Sequence, residues 1–418
     1  MTNREIVWKQ KDYSRVPFYL YHDEDIYARE RTRVFEGPTW SFLGLEAEIP
    51  RPGDFRRTVV GDIPVLLSRD LQGKIHAFVN RCAHRGSLVR RETSGNSRSH
   101  VCFYHRWCFA LDGRLTGVPL RKGVRGEGGL DSDFDLGAHG LRRFRVGNIK
   151  GALFGTLSDQ AEPLEAYLGA AAVDAIGKVL HKPVRILGYQ RQRLSGNWKM
   201  YAENARDSYH AGLLHGFVTA FALDRATQKG GAQMDPRHRH NVIYAIADSD
   251  TDADVIDAYA EATPDSFRLR LRSPSFLEFR RERKDDWRAI VASIFPGAVV
   301  FQHGNILGTR QLRLNGVDDF EVFQTLLAYE DDDEEMVEHR LLQGNLMGPA
   351  GFVAMEDGEA VENVSVGTRA QPLAQAVIEM GGRGPLAESG ARATDVPLRG
   401  FWSYYAELMG CEPEGAIR

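Results

Sequence analysis

The sequence is short of the features that mark secreted and membrane proteins. Only four cysteines occur in 418 residues, too few for a disulfide framework in a chain of this length. Residues 1–14 are polar and lack the apolar core of a secretory signal. The most apolar stretch, residues 289–301, is broken by Pro296 and Gly297 and is too short to cross a bilayer. We therefore expect a cytoplasmic protein with no membrane association.

No single sign of charge dominates, and no nucleotide-binding motif is present. The 53 basic residues are nearly balanced by 57 acidic ones, so nothing indicates binding to nucleic acid or to an anionic surface. Residues 123–129 are rich in glycine, but their order does not match the Gly-x-Gly-x-x-Gly turn that follows a strand in dinucleotide-binding units. We expect no nucleotide site in this chain.

The distribution of apolar residues and glycines along the chain predicts a small β domain inserted near the N-terminus of a larger α+β domain. Hydrophobic residues make up 43% of the sequence, enough for a sizeable core. Short apolar runs separated by glycines indicate tight turns and an all-β module. The predicted domains are residues 1–38, a helical part of the larger domain, then the β module at 39–155, then residues 156–418. In the last part we predict helices at 161–176, 197–221 with an interruption, and 332–346, strands at 290–295, 298–302 and 321–328, and a loop at 381–394.

Two pairs of metal-ligating residues lie in the β module. Cys82-x-His84 and Cys102-x2-His105 are separated by 17 residues, and each pair is predicted at the tip of a hairpin. Two cysteines and two histidines can close a tetrahedral zinc site, or can hold a [2Fe–2S] cluster with the cysteines on one iron and the histidines on the other. The single residue inside Cys-x-His favours the second, Rieske, arrangement. Cys108 is predicted to be a buried core thiol.

A second group of candidate ligands lies at residues 203–215. Asp207, His210 and His215 form Asp-x2-His-x4-His, and two histidines plus a carboxylate make the facial triad of non-heme Fe(II) oxygenases. On an ideal helix the two histidines would be about 140° apart, so a π-bulge or break near Gly212 is needed to bring them to one metal. Asp207 is predicted to hydrogen-bond His210 from the same helical face.

The carboxylate ligand must come from another part of the chain. The best candidate is Asp357, next to Glu356, after the predicted helix 332–346. An exposed acidic pair is the ordinary alternative.

Together these motifs resemble the large (α) subunit of Rieske aromatic-ring-hydroxylating dioxygenases over nearly the whole chain. The residues that match the family's Glu-Asn-x-x-Asp-x-Tyr-His-x4-His motif are Glu203, Asn204, Asp207, Tyr209, His210 and His215. The second Rieske loop departs at Phe103 and Arg106, where Cys-Pro-Tyr-His-Gly-Trp is commoner.

The resemblance implies the fold, the cofactors and the partners. It implies an all-β Rieske domain inserted in an α+β catalytic domain built on an antiparallel sheet with helices. The chain would carry a [2Fe–2S] cluster and a mononuclear Fe(II), and would use O2 and NAD(P)H electrons supplied through a ferredoxin, a flavin reductase or both. An α3 or α3β3 assembly with a small β subunit is implied. In it, Asp207 and Asn204 would serve as catalytic residues, and Asp207 would link His210 to a cluster histidine of a neighbour.

Several segments are most similar to the branch that acts on aromatic carboxylates such as terephthalate, salicylate and anthranilate. Within that branch, Arg310 and Arg399 stand where an arginine is expected to bind the substrate carboxylate, because the planar guanidinium can donate two parallel hydrogen bonds to a carboxylate. The residues predicted to line an apolar substrate pocket are Val218, Phe221, Leu307 and Phe352.

Two other functions remain open from the sequence. A monooxygenase of the salicylate 5-hydroxylase type would share every motif above. A Rieske electron carrier without oxygenase chemistry would need only the β module, so the remaining 260 or so residues and the Asp-His-His motif count against it.

Overall fold

The computed structural model describes residues 5–221, 228–246 and 272–417. The strands are β1 (Arg15–Pro17), β2 (Ser41–Leu45), β3 (Asp54–Val60), β4 (Ile63–Arg69), β5 (Ile75–Val79), β6 (Ser94–Asn96), β7 (His100–Val101), β8 (Cys108–Phe109), β9 (Leu115–Gly117), β10 (Arg143–Ile149), β11 (Ala152–Thr156), β12 (Val184–Ser195), β13 (Gly230–Met234), β14 (Asn241–Ile246), β15 (Trp287–Ile294), β16 (Ala298–His303), β17 (Ile306–Gly316), β18 (Asp319–Tyr329) and β19 (Gln375–Val377). The α-helices are α1 (Glu24–Glu30), α2 (Leu164–Val179), α3 (Trp198–Asn204), α4 (Ala211–Leu214), α5 (Gly216–Ala220), α6 (Glu334–Met347), α7 (Phe352–Ala370) and α8 (Val396–Met409). Within these described ranges, no helix is both long enough and apolar enough to cross a membrane.

The chain divides into two compact units. The insert unit is Glu36–Ala161, and the large unit is Met1–Phe35 together with Glu162–Arg418. The insert unit consists of strands, loops and two short 3-10 helices, Glu46–Glu48 and Gly137–His139, whereas the large unit combines an antiparallel sheet with α-helices. The predicted fold class is confirmed.

The insert unit is built on a seven-stranded antiparallel sheet in the order β2-β11-β10-β5-β4-β3-β6. Tight turns join neighbouring strands, as in the β10–β11 hairpin, where Ile149 pairs with Ala152. The two residues between them, Lys150 and Gly151, have φ angles of 53° and 90°. Positive φ at both central positions gives a turn whose twist matches that of the flanking strands.

The two Cys-His loops have different settings, which corrects the prediction that both lie at hairpin tips. Cys102 and His105 lie in the turn between the paired strands β7 and β8 of a small three-stranded sheet, β7-β8-β9. The loop of Cys82 and His84 joins β5 to β6, which are separated by two other strands of the large sheet. Pairing partners far apart in the sequence decide which strands become neighbours, so local turn signals could not show this.

The large unit is built on a second seven-stranded antiparallel sheet, in the order β12-β18-β17-β16-β15-β14-β13. Helix α2 packs against β14, β15 and β16, while α6 packs against β17 and β18 and α7 against β12. Because side chains alternate along each strand, one face of β16 carries Val299, Phe301 and His303. This face forms the floor of the cavity described below.

Helix α3 is anchored by buried polar groups from distant parts of the chain. The carboxylate of Glu30 accepts hydrogen bonds from Trp198 Nε1 at 2.7 Å and Tyr405 OH at 2.6 Å, and pairs with Lys199 Nζ at 2.5 Å. Both side chains of that ion pair are fully buried. At the other end of α3, the carboxylate of Glu203 accepts hydrogen bonds from Tyr21, near the start of the chain, and from Trp402 in α8. These bonds fix α3 and therefore the residues that follow it.

Candidate metal centres and the active-site cavity

The insert unit brings four potential metal ligands together in two pairs. Cys82 and Cys102 are buried, and their thiols are close enough to interact. His84 is exposed and His105 is half-buried, with their ring centroids 4.5 Å apart. A buried thiol pair beside an imidazole pair fits a [2Fe–2S] cluster with cysteines on one iron and histidines on the other.

The backbones of the two loops follow the same course. Gly86 N–H donates to the Cys82 carbonyl at 3.0 Å, and Arg106 N–H donates to the Cys102 carbonyl at 3.0 Å. Gly86 has a φ angle of 73° and Arg106 one of 60°. Glycine adopts this left-handed conformation without steric cost, whereas an arginine that adopts it brings its Cβ atom too close to the backbone. The departure at Arg106 from the commoner glycine therefore adds local backbone strain to the second loop.

Aromatic rings pack against the two histidines of this site. The indole of Trp107 stacks on His84 at 4.8 Å with an interplanar angle of 2°, and the ring of Tyr104 lies 3.8 Å from that of His105. Cys108, predicted to be a buried core thiol, is only half-buried and is not part of the hydrophobic cluster around Cys82 and Cys102. Its position on the short strand β8, at the edge of that cluster, explains the difference.

In the large unit, His210, His215 and Asp357 meet at one point. One ligand atom of each lies within 4.8 Å of the other two. The Nε2 atoms of His210 and His215 are 3.3 Å and 3.5 Å from Asp357 Oδ1. Two imidazoles and one carboxylate fit the facial triad that holds a non-heme Fe(II) and leaves coordination positions open.

The chain brings the two histidines together by breaking the helix at His215. His215 has φ −77° and ψ 95°, and separates α4 from α5. The sequence placed this break near Gly212, but Gly212 lies inside α4. An extended residue at the ligand itself turns the imidazole toward the metal position directly.

Asp207 contacts His210 through a turn, whereas the sequence predicted a shared helical face. Helix α3 ends at Asn204, and Asp207 Oδ1 then accepts from the backbone N–H groups of Tyr209 and His210 at 2.7 Å and 3.3 Å. Asp207 Oδ2 lies 3.3 Å from His210 Nδ1, within ion-pairing distance. The Asp207 side chain is thus held in place by the backbone of the residues that come after it.

Two further polar residues orient the triad. Glu356 Oε2 lies 3.1 Å from His215 Nδ1, while its Oε1 accepts from the Gly216 N–H at 3.0 Å. Asn204 Nδ2 donates to Asp357 Oδ1 at 3.1 Å. Each imidazole therefore has a carboxylate on its Nδ1 side, which directs Nε2 to the metal position.

The field at this point favours a cation. Burial opposes a charge on His210, but the carboxylates of Asp207 and Asp357 outweigh it and raise the pKa of His210 to about 10. Burial also raises the pKa of Asp357, yet the bond from His210 and the charges of the surrounding cationic groups bring it below its usual value. A divalent metal ion would satisfy the same excess of negative charge that stabilises the proton here.

A cavity of about 180 Å³ opens beside the triad. Its floor is the face of β14 to β17 that carries apolar side chains, and its walls come from α4, α5 and α6 with the loop before α8. The apolar lining is contributed by Val218, Ile243, Ala245, Leu277, Ala289, Val291, Val299, Phe301, Ile306, Leu346, Met347 and Val353.

The charged residues of the cavity are divided by sign. Among the described residues that line it, the only acids are Asp207 and Asp357, both at the triad. Three arginines line it as well, Arg288, Arg310 and Arg392. Away from the triad, the described part of the lining combines apolar side chains with arginines and neutral polar groups, which suits a small anion with a hydrophobic body.

The residues predicted to contact substrate divide into two groups. Val218 and Arg310 line the cavity, but Phe221, Leu307, Phe352 and Arg399 do not. Leu307 points to the opposite face of β17 from its neighbour Ile306, because side chains alternate along a strand. Phe352 is 52% exposed and stacks with Phe217, which also packs against Phe221.

Arg399 has a different environment from the one predicted. It is fully buried in α8, and its guanidinium donates to the backbone carbonyls of Asp12, Gly382 and Gly384 at 2.8, 2.8 and 2.6 Å. These bonds hold the loop before α8 against the N-terminal segment, so Arg399 is not included among the substrate-binding residues.

Sequence reasoning missed four residues of the site. Glu356 could have been recognised, since it adjoins Asp357 and a ligating histidine usually has a carboxylate partner. Arg288, His303 and Arg392 carried no local signal, because their positions depend on strand pairing and on the path of an irregular loop.

Both units of the chain are similar to known protein families. Residues 39–126 match the Rieske [2Fe-2S] domain, and residues 177–410 match the ring-hydroxylating alpha subunit catalytic domain. In structure, naphthalene 1,2-dioxygenase from Rhodococcus sp. bound to indole is similar with a TM-score of 0.78 over 94% of both chains, at 22% identity.

Three relatives are similar over almost their whole length. The terminal oxygenase component subunit alpha 2 of terephthalate 1,2-dioxygenase from Comamonas sp. is 42% identical over 97% of this chain and 98% of its own. The anthranilate 1,2-dioxygenase large subunit from Burkholderia cepacia is also 42% identical, over 97% and 96%. The large oxygenase component of salicylate 5-hydroxylase from Ralstonia sp. is 38% identical, over 96% of each chain.

Proposed function

The chain belongs to the alpha subunits of Rieske-type ring-hydroxylating oxygenases, and from that premise we propose that its substrate is an aromatic carboxylic acid. As a member of this family it carries a Rieske [2Fe–2S] cluster and a mononuclear iron, and it is an oxidoreductase that acts on O2. The observation that supports the substrate class is the cavity beside the triad, because its described lining includes three arginines and, away from the triad, no acid among those described residues.

The geometry of the two units supports a ligand set for each metal site. Cys82, His84, Cys102 and His105 hold the cluster in the proposed enzyme. The ligands of the mononuclear iron are His210, His215 and Asp357. When bound, this iron supplies the site at which O2 is activated, and two electrons and two protons then complete the addition of both oxygen atoms to the ring.

Arg310 is the proposed anchor for the substrate carboxylate. Its Nε donates to Gln324 Oε1 at 3.0 Å and its Nη1 to Tyr201 OH at 3.2 Å, and its guanidinium lies 4.9 Å from the centre of the Phe301 ring. These contacts hold the plane of the guanidinium at the cavity wall. A fixed planar fork binds a carboxylate with little further loss of freedom.

The residues around the triad hold protons and orient the ligands. The carboxylates of Asp207 and Glu356 lie beside the Nδ1 atoms of the two histidines, and Asn204 fixes one oxygen of Asp357. The apolar floor under the substrate excludes water from the reacting ring. Asp207 is also the proposed connection for electrons arriving from His105 of a neighbouring subunit.

The electron supply and the assembly are part of the same proposal. Electrons from NAD(P)H arrive through a separate ferredoxin, a flavin reductase or both, and the subunit acts in an α3 or α3β3 assembly. The names of the relatives support this arrangement, because they describe a terminal oxygenase component, a large subunit and a large oxygenase component.

A single-turnover assay tests the substrate class. Chemically reduced protein with both iron sites filled is mixed with O2 in the presence of terephthalate, anthranilate, salicylate or benzoate. Toluene is the matched compound that lacks a carboxylate. We expect a cis-diol or a catechol from at least one acid and none from toluene. No product from any acid, with both metal sites shown to be occupied, would remove the carboxylate assignment and the role of Arg310.

A monooxygenase is the second candidate, favoured by the 38% identity to a salicylate 5-hydroxylase component. A monohydroxylated product in the same assay would identify it. An electron carrier without oxygenase chemistry is excluded by the match to the catalytic domain and by the second donor set.

A further inference from the structure

A line of polar side chains crosses the sheet of the large unit beside the cavity. Arg310 in β17 pairs with Gln324 in β18, and Gln324 pairs with Gln190 in β12. Because directly paired residues of neighbouring strands lie on the same face of a sheet, the three side chains are neighbours. We call Arg310, Gln324 and Gln190 the polar row. Of the three, only Arg310 belongs to the described lining of the cavity.

Hydrogen bonds join the polar row from one end to the other. Arg310 Nε donates to Gln324 Oε1 at 3.0 Å, and Gln324 Nε2 donates to Gln190 Oε1 at 2.9 Å. Since a guanidinium can only donate, the amide of Gln324 must present its oxygen to Arg310 and its nitrogen to Gln190. Gln324 is 2% exposed, so water cannot readily replace either bond. The amide of Gln324 therefore restrains the guanidinium of Arg310 through Nε.

The far end of the polar row lies against the turn that precedes helix α7. Gly348 follows α6, and Gly351 N–H donates to the Gly348 carbonyl at 2.8 Å. A Cβ atom on Gly348 would come within 2.5 Å of the side-chain amide of Gln190, so this amide packs directly on the glycine backbone. Gln192, two residues along β12, donates from Nε2 to the Ala354 carbonyl of α7 at 2.8 Å. Two glutamines of β12 therefore support the start of α7.

The polar row thus connects Arg310 to the helix that supplies an iron ligand. Asp357 lies on α7 three residues after Ala354, about one helical turn further on. A second connection runs through α3, where Tyr201 OH accepts from Arg310 Nη1 at 3.2 Å. Asn204, at the end of the same helix, donates to Asp357 Oδ1 at 3.1 Å. Arg310 and Asp357 are therefore linked both through β12 and α7 and through α3.

The restraint on Arg310 also limits how a carboxylate can bind to it. An arginine side chain has five N–H bonds, one on Nε and two on each terminal nitrogen. Because Nε already donates to Gln324, a carboxylate that accepts two parallel bonds must use the terminal nitrogens, Nη1 and Nη2. A guanidinium held in this way gives the carboxylate, and the ring attached to it, one orientation relative to the metal position.

We propose that Gln324 and Gln190 are positioning residues that hold Arg310 in register with α7 and thereby determine which edge of the aromatic ring faces the metal position. This rests on the proposed function, because it takes Arg310 to be the anchor for the substrate carboxylate. Neither glutamine belongs to the described lining of the cavity, so losing one should change the placement of the ring more than its affinity. A displacement of about 1 Å can lower productive turnover by about 100-fold.

The first test measures where the ring lies, without turnover. Calorimetric titration identifies which of benzoate, anthranilate, salicylate and terephthalate binds most tightly to the anaerobic holoenzyme. Nitric oxide is then bound to the mononuclear iron as a spin probe, and deuteron ENDOR spectra with the ring-deuterated acid give the distances from the iron to the ring deuterons. We expect one narrow set of distances in wild type. In Gln190→Leu and Gln324→Leu the set should be broader or shifted by about 1 Å.

Steady-state kinetics with the same acid separate positioning from binding. Gln190→Leu should change KM by less than about threefold but lower the ratio of product formed to O2 consumed by about 3–10-fold. Gln190→Glu keeps an acceptor oxygen for Gln324 and should restore most of the wild-type ratio. Thr325→Val is the matched control, because it alters the neighbour of Gln324 on the opposite face of β18 and should leave the distances and the ratio unchanged.

The outcomes separate this proposal from the proposed function. If Gln190→Leu keeps the wild-type distances and the wild-type product ratio, the positioning role is wrong while the carboxylate assignment stands. Should the buried variant Gln324→Leu not fold, Gln190→Leu decides alone, since the Gln190 side chain is only half-buried. If wild type binds none of the acids, the proposed function itself fails, and the positioning role fails with it.

Discussion

Removing the Glu356 carboxylate should weaken iron binding without touching a ligand. In Glu356→Ala, His215 loses the partner that sits 3.1 Å from its Nδ1, and Gly216 N–H loses the acceptor at 3.0 Å. Both contacts lie at His215, where the helix breaks. The imidazole is then free to rotate and to carry its proton on either nitrogen.

The size of the effect follows from what those contacts do. Loss of the residue that orients a metal-bound histidine typically reduces metal affinity by about 10–100-fold, or about 1.4–2.8 kcal/mol. We place Glu356→Ala toward the upper end, because the same side chain also fixes the backbone of the next residue. Glu356→Gln keeps one acceptor oxygen and should lie between the variant and wild type.

Iron content after dialysis against a graded series of a chelator measures this directly. The Rieske cluster provides an internal reference, since its visible absorbance reports the insert unit alone. Glu359→Ala is the matched control, because it removes an exposed glutamate from the same helix. If Glu356→Ala keeps its mononuclear iron as firmly as Glu359→Ala does, the orienting role is refuted.

Four further outcomes test other parts of the reasoning. Asp207→Ala should retain both metals, measured as three irons per chain, yet lose hydroxylation in a coupled assay; near-normal rates would contradict the proposed electron route. Burial raises the pKa of Glu203 to about 7, so ionisation should cost the folded state up to about 3 kcal/mol as pH rises from about 4.5 through 7. Glu203→Gln should remove that loss, and parallel melting-temperature profiles of the two proteins between pH 5 and 8 would argue against it. Arg106→Gly should stabilise the second cluster loop by about 1 kcal/mol, seen as later thermal bleaching of the cluster; earlier bleaching would mean that the arginine makes a stabilising contact. Arg399→Met should lower the melting temperature while leaving KM for the aromatic acid nearly unchanged. A large rise in KM would instead show that Arg399 contacts the substrate.

The sequence determined the metal chemistry of this protein, because ligand identity is a local property. The Cys-x-His and Cys-x2-His motifs supply two thiolates and two imidazoles, and this ligand set suits only a few kinds of metal site. The Asp-x2-His-x4-His motif likewise limits the second metal site to those that histidine and carboxylate ligands can hold. The fold class also followed from the sequence, since the glycine-punctuated runs of the insert and the mixed texture after residue 156 reflect local periodicity.

Tertiary structure alone decided which side chains line the cavity beside the triad. Arg310 and Arg399 looked alike in the sequence, yet strand pairing places Arg310 on the cavity wall while backbone carbonyls surround Arg399 in α8. His303 faces the cavity and Leu307 does not, because their register across β16 and β17 assigns them to opposite faces of the sheet. A one-residue difference in register reverses every side chain of a strand, and long-range pairing sets that register. The residues proposed to hold the metals were therefore identifiable in the sequence, whereas the set of residues that line the cavity depended on contacts between distant segments.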